Sequence, residues 1–291
     1  MSDHTGVWLY AVVSAGDGEL EDRDPEGSGA LDRPDSSGSW LPSIAGVDGE
    51  RVYAVSGAGL TAIVGRVRLD EFGEEALHRN LENLTWLERV ARAHDTVIAA
   101  VAELVPAVPL RLATVCHDDD RVREVLAEHS AEFTSALQLI DGRSEWGVRA
   151  HVRKGETTPV PSGMPRSQRS TGALPRGAGA AYLKRRRSEL SARQEADRAA
   201  AEEAAAVHET LCRYAVGARR QPPPSPQLAG TDEPVLLNGA YLVDHSRTDD
   251  FVAAVNEMNS STLRLVLTGP WPPYSFTAAV QGVAQGEPRT P

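Results

Sequence analysis

Sulfur, aromatic rings and positive charge are all scarce in this sequence. Its 291 residues include two cysteines and three methionines, and Phe, Trp and Tyr together make up 5%. Cys116 and Cys212 cannot supply the even, closely spaced set that staples a small secreted domain, and they point to a reducing compartment. Thirty Lys and Arg stand against 41 Asp and Glu, for a formal net charge of −11. That balance argues against nucleic acid as a general partner, because phosphate binding needs a basic footprint. No run of eighteen apolar residues occurs, so no membrane span is expected. The start, MSDHTGVWLYAVVSAGD, carries Asp3 and His4 where a secretory leader has basic residues, and a cytoplasmic location is expected. The glycine-framed serine of a nucleophile elbow, the phosphate-loop lysine and the dinucleotide-binding glycines are also missing. Neither an enzyme nor a cofactor is expected.

What is present suffices for real cores: hydrophobic residues make up 41% of a chain long enough for one large or two ordinary domains. VWLYAVV (7–13) predicts a strand buried on both faces. Residues 16–39, with eight acids against two arginines, are too poor in apolar groups to offset their ordering entropy and predict a disordered acidic loop. RVYAVS and LTAIVGRV flank Gly57-Ala58-Gly59 as a hairpin. Three-to-four spacing of Leu77, Leu81, Leu84, Leu87, Val90 or Ala91, His94, Val97 or Ile98, Val101 and Leu104 predicts one or two helices, ended by Pro106. VPLRLATV (108–115) reads as a strand, Asp118, Asp119 and Asp120 as the N-terminal end of a helix running to Ile140, and EWGVRAHV (145–152) as another strand.

The stretch 154–177 is rich in Pro, Ser, Gly and Arg and predicts a flexible linker. From Ala178 to about Val216 proline is absent and Gly179 is the lone glycine, which predicts a long helix. Its apolar seam is thin (Leu183, Leu190, Ala204, Val207, Leu211, Tyr214), so the helix should project beyond its own domain or pair with another. RRQPPPSPQLAG breaks it, VLLNGAYLV is a strand, Ser246 and Asp249 suggest a capping box, and LRLVLT (263–268) is the final strand. Both halves therefore read as α+β layers.

Three clusters invite chemistry. Cys116, His117 and the three aspartates resemble a ligand set, but adjacent residues rarely converge on one ion, and helix capping is the favoured reading. His94 and His129 fall on apolar helix faces, as core histidines do. Lys184-Arg185-Arg186-Arg187 radiates around a helix and reads as a solvated face. The terminal LTGPWPPYSF is stiff, since three prolines remove backbone donors, and its rings are expected to fold back over the sheet or the adjacent helix. Trp271 and Tyr274 offered, alternatively, a stacking site for a small-molecule regulator.

The motifs DEFGEEAL, NLENLTWLERVARAHDTVI, VPAVPLRLATV, EWGVRAHV, GAAYLKRRRSEL, NGAYLVD and LTGPWPPYSF resemble, in order and spacing, the gas vesicle accessory proteins of the GvpL/GvpF family. The resemblance implies an α+β protein of two domains. The first, 1–153, is a mixed α+β domain whose stretch 16–50 is largely the acidic loop. After the 154–177 linker comes a modified ferredoxin-like domain, 178–280, with the long helix at 178–216, and then a disordered tail, 281–291. It implies a non-enzymatic role in vesicle assembly, located at the gas vesicle or in the cytoplasm. The partners implied are the major gas vesicle shell protein and other accessory proteins, with no catalytic, metal or cofactor residues. Arg111, Trp271, Tyr274 and Phe276 are the candidate packing or partner-contact residues. One departure stands out: where the family pattern reads RFGT, this chain has Arg111-Leu112-Ala113-Thr114, and alanine tolerates a positive φ poorly.

Overall fold

A computed structural model describes residues 5–16, 44–153, 178–223 and 233–277. Residues 17–43 of the expected acidic loop lie outside those residues, as do the 154–177 linker and the 281–291 tail. The chain forms two compact units, one of residues 1–145 with 269–291 and the other of residues 146–268. This division differs from the expected domains at both junctions. EWGVRAHV joins the second sheet, and the chain from Gly269 onward returns to the first unit.

The first unit is built on an antiparallel sheet in the order β2-β3-β1-β4, with β5 also on β1. The strands are β1 Thr5–Ser14, β2 Val52–Gly57, β3 Leu60–Arg68, β4 Val108–Pro109 and β5 Val115–Cys116. In β1 every residue from Val7 to Val13 is at most 1% exposed, as the unbroken apolar run predicts. Its register against β3 slips between Leu9 and Ala11, so Tyr10 is an extra residue. Val7, Leu9 and Val12 accordingly join one core, while Trp8, Tyr10, Ala11 and Val13 join the other.

Each core has its own helices. Val90, Val97, Ile98 and Val101 of α3 (Leu84–Ala102) pack into the Trp8 core behind the short α1 (Leu69–Phe72) and α2 (Glu74–Asn80). Val122, Val125 and Leu126 of α4 (Asp119–Glu128) and Phe133, Leu137 and Ile140 of α5 (Ser130–Ile140) pack into the other. The continuous helix expected to Ile140 is thus two helices, broken at His129, whose φ of −121° and ψ of 23° leave the helical basin. Asn83 separates α2 from α3 by accepting bonds from the Thr85 and Trp86 amides at 3.1 and 3.3 Å. The β2–β3 hairpin forms as read, with Ala58 at φ +54° and Gly59 at +75°, a primed two-residue turn. Residues 44–50, expected within the acidic loop, form a tight turn. The Gly46 amide donates to the Glu50 carbonyl at 2.9 Å, and the Tyr10 hydroxyl bonds to the Glu50 carboxylate.

The second unit runs β6 (Arg143–Val152), α6 (Ala178–Leu211), β7 (Gly217–Arg220), β8 (Val235–Asp244), α7 (Thr248–Glu257) and β9 (Leu263–Trp271). Its sheet order is β7-β8-β6-β9. The Val152 amide donates to the Pro234 carbonyl at 3.0 Å and the Arg153 amide to the Thr262 carbonyl at 2.8 Å. The end of β6 therefore meets the beginnings of both β8 and β9, which run parallel to each other on either side of it. β9 lies at the edge, where a proline such as Pro270 is tolerated. The strand continues through Pro270 to Trp271, rather than stopping at Thr268 as the prolines suggested. The capping box at Ser246 does not form. Residues His245–Arg247 make a 3₁₀ turn, and α7 starts after Arg247 with no side-chain cap.

Candidate functional site

His94, Asp118 and Asp119, which looked chemical in the sequence, are engaged in folding. His94 is buried in α3. The Trp8 indole N–H donates to its Nδ1 at 3.0 Å, so the proton sits on Nε2, which donates to the Leu110 carbonyl at 3.1 Å. Burial holds this imidazole below its usual pKa, and the neutral tautomer bridges β1 to the chain after β4. In the Cys116–Asp120 cluster, Asp118 caps α4 by accepting from the Arg121 amide at 2.8 Å. Asp119 accepts from the Tyr53 hydroxyl at 2.6 Å and from Arg66 at 3.0 Å, tying α4 to the sheet. Burial pushes the Cys116 thiol up, away from the thiolate a nucleophile or ligand requires. Among the described residues, no group of three or more His, Cys, Asp and Glu side chains is arranged to hold a metal ion.

The expected strand 108–115 is interrupted. Between β4 and β5, residues 111–114 make a turn with Ala113 at φ +66°, the left-handed conformation that glycine occupies without strain. Two bonds hold Ala113 there: the Thr114 hydroxyl donates to the Arg111 carbonyl at 2.7 Å, and the Leu9 amide donates to the Thr114 carbonyl at 3.0 Å. Arg111 itself points its side chain to solvent.

The strap Gly269–Thr277 separates its three rings. Trp271 is 55% exposed. Tyr274 donates to Asp95 of α3 at 2.7 Å, and burial together with that carboxylate raises its pKa well above the usual phenol range. The Ser275 amide and hydroxyl both donate to Glu145, at 2.8 and 2.5 Å, while Phe276 and Thr277 are buried. Tyr274 and Phe276 are therefore packing residues, and Trp271 and Arg111 remain exposed. Of the two rings considered for stacking on a small molecule, Trp271 is exposed and Tyr274 is half-buried with its hydroxyl on Asp95.

The turn at Ala113 forms one wall of a feature the sequence did not announce. An open groove of about 710 Å³ runs between Leu69, Phe72, Leu77 and Leu81 on one side and Ala113, Val115, Cys116 and His117 on the other. Glu74 and His78 stand on its rim. Leu81, 38% exposed, presents a bare isobutyl group at that groove. Periodicity marks Leu77 and Leu81 as one helix face, but only the fold opposes that face to residues 113–117.

The arrangement is an α+β protein of two antiparallel sheets whose available features are surfaces: a groove, an exposed indole and a long bare helix. Its family is also defined, since the family model described as gas vesicle synthesis protein GvpL/GvpF matches residues 6–278, and the chain belongs to that family. It is 34% identical to gas vesicle protein L of Streptomyces sp. (strain CB03234) over 284 residues, which cover 97% of this chain and 96% of that one. It is 28% identical over 198 residues to gas vesicle protein F of the same strain, covering 67% and 80%. The crystal structure of gas vesicle protein GvpF from Anabaena sp. PCC7120 superposes with a TM-score of 0.56 at 19% identity, covering 94% of this chain and 96% of that one. That of GvpF from Microcystis aeruginosa gives 0.52 at 15%, covering 94% and 98%. No described helix is long and apolar enough to cross a membrane.

Proposed function

We propose that this chain is a non-enzymatic accessory protein of gas vesicle assembly that binds the major shell protein, and other accessory proteins, at the vesicle or in the surrounding cytoplasm. The observation that carries this reading is the groove beside Leu81, part apolar and part polar with Glu74, His78 and His117 in its lining, in a chain that matches its family from residue 6 to 278. On this reading the chain keeps apolar surface of shell subunits from premature association. The groove offers Leu81 and the half-buried Leu69 and Val115 as apolar surface on which an apolar group can be desolvated. Higher identity over a fuller span with a protein L than with a protein F of the same organism supports an L-type member.

The order β6-α6-β7-β8-α7-β9, with sheet order β7-β8-β6-β9, supports a modified ferredoxin-like second unit in which α6 is the modification. Co-purification with the shell protein tests the binding role. The wild-type chain is expected to retain the shell protein, and Leu81→Asp, a change at an already exposed position, to lose it. A chain that retains no vesicle component sinks the proposal.

A further inference from the structure

The long helix α6 is unusual in how little of it is used. Every residue from Leu183 to Ala199 is exposed, and burial begins only at Ala200, continuing with Ala204, Val207 and Leu211. Seventeen exposed residues at about 1.5 Å each leave roughly 25 Å of helix without a covering partner among the described residues.

The first twelve residues of this free length are strongly basic on an acidic protein, while the last five, with Glu195, Asp197 and Arg198, carry a net −1. From Leu183 to Gln194 there are five bases, Lys184, Arg185, Arg186, Arg187 and Arg193, against the single acid Glu189, a net of +4. Glu189 lies 3.9 Å from the Arg185 guanidinium and 3.6 Å from that of Arg186, so one carboxylate is shared between two cations. Side chains this exposed in water gain little from such a pair, and the positive field persists. Leu183 and Leu190, seven residues apart on one face, add apolar contact within the charged patch.

The sequence contains one segment of matching sign and length. Residues 17–35 carry eight carboxylates and two guanidiniums, a net of −6. Leu20 and Leu31 are its only large apolar residues. We propose that the free length of α6 is a docking surface for segment 17–35 of a second copy of this chain. The joint is distinct from the groove of the first unit and does not depend on it. Because each chain carries one basic helix and one acidic segment, the exchange either closes reciprocally in a pair or continues head-to-tail, and both raise the mass with concentration. The attraction is of surface charges, so it weakens as salt shortens the Debye length.

The test uses the full chain and a fluorescent synthetic peptide of residues 17–35. Saturable binding is expected at low salt, weakened at least tenfold by about 0.5 M NaCl, where charges are screened beyond a few ångströms. The triple variant Arg185→Glu/Arg186→Glu/Arg187→Glu, altered only at exposed positions, is expected to lose at least tenfold in affinity. A peptide with its acids replaced by lysine should bind that variant and not the wild type. In sedimentation, the wild-type mass should rise with concentration at low salt, and a chain whose residues 17–35 are replaced by Gly-Ser should stay single. Peptide affinity unchanged in the triple variant overturns the proposal. So does a wild-type mass that stays single at every concentration, which places the segment on its own helix, or tighter binding of an oligo-dT strand than of the peptide.

Discussion

α3 and α6 are the two longest helices, and they answer opposite demands. α3 spends nineteen residues burying Val90, His94, Val97, Ile98 and Val101, a stripe that begins in its second turn and runs nearly to its end. α6 spends 34 residues and, from Leu183 onward, buries four, all in its last twelve. The difference lies in seam density. α3 repeats an apolar residue every three or four positions, whereas α6 between Leu183 and Ala199 offers only two leucines amid charge and alanine. A helix can therefore be persuaded by propensity alone to extend past its core, and what extends becomes surface for something else.

The comparison breaks most visibly by truncation. Phe276→Ala in the strap should cost about 3–5 kcal/mol, the usual cost of emptying a buried phenylalanine site, measured by chemical unfolding of the first unit. Ile98→Ala in α3 should cost about 2–4 kcal/mol, while Leu183→Ala and Leu190→Ala in α6 should each stay within about 0.5 kcal/mol. Equal losses at Ile98 and Leu183 would dissolve the contrast. His94→Ala strands the Trp8 indole N–H and the Leu110 carbonyl and should cost about 2–4 kcal/mol.

The same histidine sets a pH dependence. Its folded pKa lies below the ordinary 6.5 through burial, so below about pH 6.5 the unfolded chain binds a proton that the folded chain refuses. Its contribution is complete above that pH and falls as acid is added. His151 and His208, depressed first by burial, act in the same direction. Replacing His94 with Gln should flatten the slope of stability between pH 6.5 and 5, and an unchanged slope would contradict this reading. The smallest expected effect is at Ala113. Glycine there removes the penalty of positive φ, offset by extra freedom in the unfolded chain, for a net gain of about 1 kcal/mol or less.

The central strand was legible because seven consecutive apolar residues leave no polar face, and the hairpin because Gly57-Ala58-Gly59 supplies the turn. The helix breaks at Leu81–Asn83 and His129 were hidden, since apolar spacing continues across both and only the local caps interrupt the backbone. β7, GARR, has neither length nor alternation, and its arginines suit an exposed edge rather than a recognisable strand. Most distant from the sequence was the strap. Tyr274 meets Asp95 across 179 residues and Ser275 meets Glu145 across 130, pairings that no local pattern encodes. Of the candidate contact residues, Trp271 and Arg111 stay exposed while Tyr274 and Phe276 turn inward, a sorting that depends on where the strap returns. The groove was hidden for the same reason, because its two walls are separated by more than thirty residues of chain.

The most direct measurement is complementation of a strain lacking this gene, with vesicles counted by electron microscopy. Wild-type chain should restore vesicles, and Leu81→Asp, with a thermal unfolding midpoint near that of wild type, should not. Full restoration by a stable Leu81→Asp chain would contradict the assignment of the groove as the site of shell-protein binding.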